Sequence, residues 1–98
     1  MEKQRYKVAI IFSILYHTAT STRRKRKATT RWYTVTSKKP DAAARTALKR
    51  LAKDDSCPNI PIVHVVMVHA GTDMSLDYVM NDDEATTTLK AYQQKVRS

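Results

Sequence analysis

The chain has 98 residues, 42% of them apolar and 28% charged, which is the composition of an ordinary globular domain and allows one modest core and no more. Its net charge of +9 is unevenly spread: residues 1–53 carry 15 Lys/Arg against Glu2 and Asp41, net +13, and residues 54–98 carry three against seven acids, net −4. One strongly basic half attracts polyanions, whether nucleic acid, an anionic membrane or an acidic protein.

The start, MEKQRYKVAIIFSILYHTA, imitates a secretory signal with its basic opening, apolar run and Ala19. Tyr16 and His17 are poor at the small-residue positions of a cleavage site, and nine apolar residues are too few to span a bilayer. A cytoplasmic location is expected, or a nuclear one in a eukaryote. Residues 6–17 predict a strand: Tyr6, Val8, Ile10, Phe12, Ile14 and Tyr16 alternate onto a core face. On the mixed odd face, Ala9, Ile11 and Leu15 leave room for a homodimer interface. RWYTVTS, residues 31–37, is rich in aromatic and β-branched types and predicts a second strand. About 13 residues between the two make an antiparallel hairpin with a long tip.

PDAAARTALKRLAK, residues 40–53, predicts a helix. Pro40 suits the first turn, Asp41 the positive end of the dipole, and Ala43, Ala44, Ala47, Leu48 and Leu51 form an apolar stripe. Arg45, Lys49 and Lys53 lie on the opposite face. A connection with two prolines and the lone Cys57, read as an incidental thiol, leads to IVHVVMVHA, residues 62–70. That run predicts an interior strand covered on both faces. After a turn at 70–73, MSLDYVM predicts a fourth strand over 74–80. Asn81 and Glu84 are spaced to cap a final helix with an apolar stripe of Ala85, Leu89, Tyr92 and Val96. Asp82, Asp83 and Glu84 suit its N-terminus, and Lys95 and Arg97 its C-terminus. The fold class is α+β: a single domain over 1–98, β-β-α-β-β-α, with an antiparallel four-stranded sheet packed on one side by two helices. It reads as two ββα halves without sequence repetition.

Enzyme signals are sparse. His64 and His69, five apart on one strand, point to opposite faces unless a bulge intervenes. No Cys/His spacing suits zinc. Asp73, Asp77, Asp82 and Asp83 are explained by a turn and a helix N-terminus, leaving a metal-dependent nuclease on Asp73 and Asp77 a remote reading. A single glycine excludes a phosphate-cradling loop, and no metal or other cofactor is implied.

The dominant feature is TSTRRKRKATT, residues 20–30, with Arg23, Arg24, Lys25, Arg26 and Lys27 in succession. A hairpin tip bearing five cations can enter a nucleic-acid groove or follow its phosphates. The hydroxyls of Thr18, Thr20, Ser21, Thr22, Thr29 and Thr30 can donate to phosphate oxygens. Arg31 continues the run. Trp32 and Tyr33 point to opposite faces, so one of them faces out and can stack on an unpaired base. Arg45, Lys49 and Lys53 would extend the same surface. Rival readings are a solvated, disordered loop with no ligand, a nuclear-import address, or an anionic lipid surface lacking a second anchor.

The segment RWYTVTSKKPDAAARTALKRLA, residues 31–52, resembles a pattern common in small phage-encoded proteins, and some anti-CRISPR proteins share the β-β-α-β build over residues 6–70. The resemblance implies a small viral protein that binds host machinery or nucleic acid without catalysis; it assigns no residues. The expectation is a non-enzymatic nucleic-acid-binding protein, DNA or RNA, that acts through the 20–31 hairpin and the adjacent helix face. The alternative is an inhibitor that occupies an acidic host protein's phosphate-contact site.

Overall fold

A computed structural model describes residues 3–17, 24–54, 60 and 62–97, without the side chains of 15–17, 24–26 and 97. Cys57 and its connection, Arg23 and the hairpin turn with Thr18, Thr20, Ser21 and Thr22 lie outside the described residues. Six elements follow in chain order: β1 (Gln4–His17), β2 (Arg24–Ser37), α1 (Pro40–Ala52), β3 (Ile62–Ala70), β4 (Ser75–Met80) and α2 (Asp82–Arg97). The strands form one antiparallel sheet in the order β2-β1-β3-β4.

The core lies between one sheet face and the two helices. Tyr6, Val8, Ile10 and Phe12 of β1 meet Val35 of β2, Val63, Val66 and Val68 of β3, and Met80 of β4. Against them pack the α1 stripe, Ala43, Ala44, Ala47, Leu48 and Leu51, and Ala85 and Leu89 of α2. Three alanines in the α1 stripe let that helix lie close to the sheet. Tyr92 is half-buried and Val96 exposed, so the α2 stripe fades at its C-terminal end. Asn81 caps α2 as its spacing predicts, its Oδ1 accepting from the Glu84 N–H at 2.9 Å.

Three expectations need correcting. First, the basic run is mostly strand. β1 and β2 pair without interruption from Gln4–Ser37 to His17–Arg24, so Arg24, Lys25, Arg26 and Lys27 belong to β2. The described β1–β3 pairing ends at Ser13–Ile62. Ile14–His17 then have β2 on one side to satisfy their backbone groups, and β2 extends to meet them. Second, β3 is interior but covered on one face. Val63, Val66 and Val68 are buried, while Val65, Met67 and His69 are half-buried on a face that no helix covers.

Third, His64 and His69 share that face. The β1–β3 register shifts between Ile11 and Phe12, whose partners are Val65 and Val63, leaving His64 as the extra residue of a bulge. The bulge inverts the alternation, which is why Val63 and Val66, of opposite parity, both reach the core. It is held from two sides. On the open face His64 Nε2 and Ser13 Oγ share a hydrogen bond of 2.7 Å. On the helix side Thr86 Oγ1 accepts from the Val63 N–H at 2.9 Å and donates to the Val63 carbonyl at 3.1 Å. One hydroxyl there replaces the missing rung of a neighbouring strand.

Candidate nucleic-acid interface

Two features stand out: a basic arm and an open sheet face. The arm is the end of the β1–β2 hairpin beyond Ser13, where Ile14–Lys27, Leu15–Arg26, Tyr16–Lys25 and His17–Arg24 pair. Four residues of strand project by ~13 Å. The molecule measures 52 × 32 × 21 Å with a radius of gyration of 14.4 Å, against about 13 Å for a compact chain of this length. The cations therefore lie on an edge strand that stands out from the body. Lys27 is exposed. Edge-strand cations also discourage pairing with another chain, a structural benefit that needs no ligand.

The open face is built by alternation. In β2, Tyr33 and Val35 turn toward the helices, so Trp32 and Thr34 turn away. Register places Trp32 beside Ala9, Ala9 beside Met67 and Met67 beside Val79, an apolar row across all four strands. The next row runs Thr34, Lys7, His69, Leu76. Ala9 is fully buried although no helix covers this face. Its small side chain lets Trp32 reach over β1 to His69, with ring centroids 5.6 Å apart and planes tilted by 31°. Trp32 itself remains 53% exposed. His69 is fixed in turn: its Nδ1–H donates to the Met74 carbonyl at 3.1 Å.

Met74 closes the β3–β4 turn with a φ of 57°, in the left-handed region, as does Gly71 at 77°. Met74 lines two adjoining depressions, one of about 300 Å³ with Lys7, Trp32, Tyr33 and Thr34, the other of about 430 Å³ with Arg5, Lys7, Gly71 and Thr72. Among the described residues no acidic side chain lines either. Asp73, in the same turn, is engaged by Ser75, whose hydroxyl donates at 2.8 Å and whose N–H donates at 3.4 Å. Those bonds hold the Asp73 carboxyl below its ordinary value.

The remaining cations named from sequence lie on the other side of the sheet. Arg31, paired with Ile10, forms an ion pair with Asp54 just after α1. Arg45 binds Asp41 one turn back at 3.2 Å. Lys49 sits 5.3 Å above the Tyr92 ring. With Lys53, Lys95, Tyr92 and Val96 it lines a groove of about 420 Å³ between the helices. The structure thus does not join Trp32 to Arg45, Lys49 and Lys53, because the sheet separates them. It joins Trp32 instead to Lys7, His69 and Met74, which sequence reasoning missed. The signal was present, since Lys7 and Trp32 belong to one face once the hairpin register is known.

Other chemistry is thin. Ser13 is 5% exposed, so its bond to His64 satisfies a buried hydroxyl more than it presents a nucleophile. Among the described residues no three His, Cys, Asp or Glu side chains converge as a metal site would require. No helix among them is long and apolar enough to cross a membrane. No family model, curated protein or solved structure matches the chain.

Proposed function

We propose that the chain is a small, non-enzymatic nucleic-acid-binding protein whose primary contacts are phosphate contacts from the β1–β2 arm. The observation that carries this reading is the position of Arg24–Lys27, four successive cations of the basic run at the outer end of an edge strand, in a half-chain of net +13. An extended strand spaces its side chains regularly and can track a phosphate backbone. Lys49, Lys53 and Lys95, across the sheet, offer a second positive groove for the same ligand.

Fluorescence anisotropy with labelled duplex DNA, single-stranded DNA and duplex RNA tests it. Changing residues 23–27 together to Thr keeps a strand-forming sequence while removing the charge. Wild-type affinity is expected to fall steeply between about 50 and 200 mM salt, by 10²-fold or more if the arm neutralises about five phosphates. The Thr variant should lose most of that dependence. No binding to any probe would sink the reading. A stable complex with one acidic protein in its place would favour the inhibitor alternative.

A further inference from the structure

We infer that the open sheet face holds an unpaired nucleobase against Trp32, with the flanking phosphates on Lys7 and Arg5, so that the protein favours single-stranded over duplex nucleic acid. This rests on the proposed nucleic-acid reading and adds a second site to it, on the face opposite the helices.

Four observations carry it. Trp32 is half exposed on edge strand β2, at one end of an apolar row that crosses all four strands, a surface that would ordinarily be covered. Its indole is braced rather than loose, tilted against His69 at 5.6 Å while Met74 fixes the imidazole. The depression beside it, about 300 Å³, is at the small end of ligand sites and is bounded by a cation, a hydroxyl and a thioether: Lys7, Thr34 and Met74. Met74 adopts a left-handed backbone that a methionine rarely takes, and such conformations gather at ligand-binding sites.

Charge decides the occupant. Arg5 and Lys7 rim the depressions and no acid among the described residues lines them, so an anionic partner gains where a second copy of this basic face would be repelled. A single strand offers what the face needs, an aromatic plane for the indole and phosphates for the rim; a duplex keeps its bases stacked internally and cannot reach Trp32. The arm lies along the same strand. Lys27 is five residues from Trp32, ~17 Å at about 3.4 Å per residue, and by alternation on the other face, so a bound strand would reach both by passing round the free edge of β2.

Trp32 is the only tryptophan, so intrinsic fluorescence reports on this site alone. The full-length protein is titrated with oligo(dT), oligo(U), an abasic oligonucleotide of equal length and a duplex. Oligo(dT) and oligo(U) are expected to quench Trp32, and their comparison tells DNA from RNA preference. The abasic strand, which keeps its phosphates, should bind about 5–100-fold more weakly without quenching. Trp32→Leu should cost the same factor for oligo(dT) and leave abasic binding unchanged. Lys7→Gln alters only an exposed side chain and should lower the salt slope by about one contact, which covers the case in which Trp32→Leu fails to fold. Equal binding of abasic strand and oligo(dT), or wild-type oligo(dT) affinity in Trp32→Leu, overturns the base site. If binding then still depends on salt and on residues 23–27, the arm reading stands alone. No binding to any strand overturns both. A dimer in which Trp32 is shielded from iodide before any strand is added assigns the face to a second copy and overturns the inference.

Discussion

Thr86 does more for this fold than its place on α2 suggests. Its hydroxyl serves both the N–H and the carbonyl of Val63, where β4 no longer runs beside β3. Thr86→Val keeps the volume and removes both bonds, leaving two partly buried backbone groups unmatched. We expect a loss of about 1–3 kcal/mol in urea unfolding, while Thr86→Ser stays within about 1 kcal/mol of wild type. Asp73 gives a pH-dependent counterpart. Its folded pKa is lowered by the Ser75 hydroxyl and N–H, whereas in the unfolded chain it titrates near 3.8. Its contribution is therefore fully present above that value and is lost as pH falls through the lower, folded pKa. An NMR titration of the Asp73 side-chain carboxyl should show Ser75→Ala returning it toward 3.8; no change would mean that the turn does not depend on this bond.

At the scale of elements, the β3–β4 turn sets the geometry of the open face, because Met74 holds His69 and His69 backs Trp32. Gly71, with its φ of 77°, starts that turn, and a Cβ there would lie 3.0 Å from Asp73 Oδ1. Gly71→Ala is expected to destabilise by about 1 kcal/mol or more, chiefly through the backbone, since the carboxylate can swing aside. The same variant should shift Trp32 emission if the turn braces the indole; an unchanged spectrum would separate the two. Element order and the helix stripes were legible in the sequence because their periods are local: Ala43, Ala44, Ala47, Leu48 and Leu51 are buried as spaced. The start of β2 was not legible. Its pairing answers a need of Ile14–His17 across the hairpin, and a run of cations does not look like a strand. Nor were the bulges at His64 and at Asp77, each a single extra residue that inverts the alternation and so changes which side chains share a face. Trp32 was recognised as a stacking candidate, but its companions depend on register, and from residue types alone it was grouped with α1 cations that the sheet puts behind it. IVHVVMVHA looked covered on both faces because Val65 and Met67 are apolar, yet neighbours within the sheet shield them in part without a second layer.

For the whole molecule, the charge that would recruit a polyanion also works against the free protein. Net +9 is gathered into a first half of +13, and the densest part is a hairpin arm that extends past the described β1–β3 pairing, which ends at Ser13. Repulsion among those cations is screened by salt, with a Debye length of about 10 Å at 0.1 M. Salt should thus act on stability and on binding with opposite signs. Raising it from about 50 to 200 mM is expected to increase the melting temperature of the free protein while it weakens nucleic-acid binding. The residue 23–27 Thr variant should melt higher than wild type at low salt, by about 0.5–1 kcal/mol or roughly 2–8 °C, with the gap narrowing as salt rises. A scan of melting temperature against salt for both proteins decides the matter. Parallel curves would mean that the arm's charges are already accommodated in the free fold, as edge-strand protection requires. Converging curves would mean that the fold carries a destabilising charge cluster, as expected when an anionic partner completes the surface.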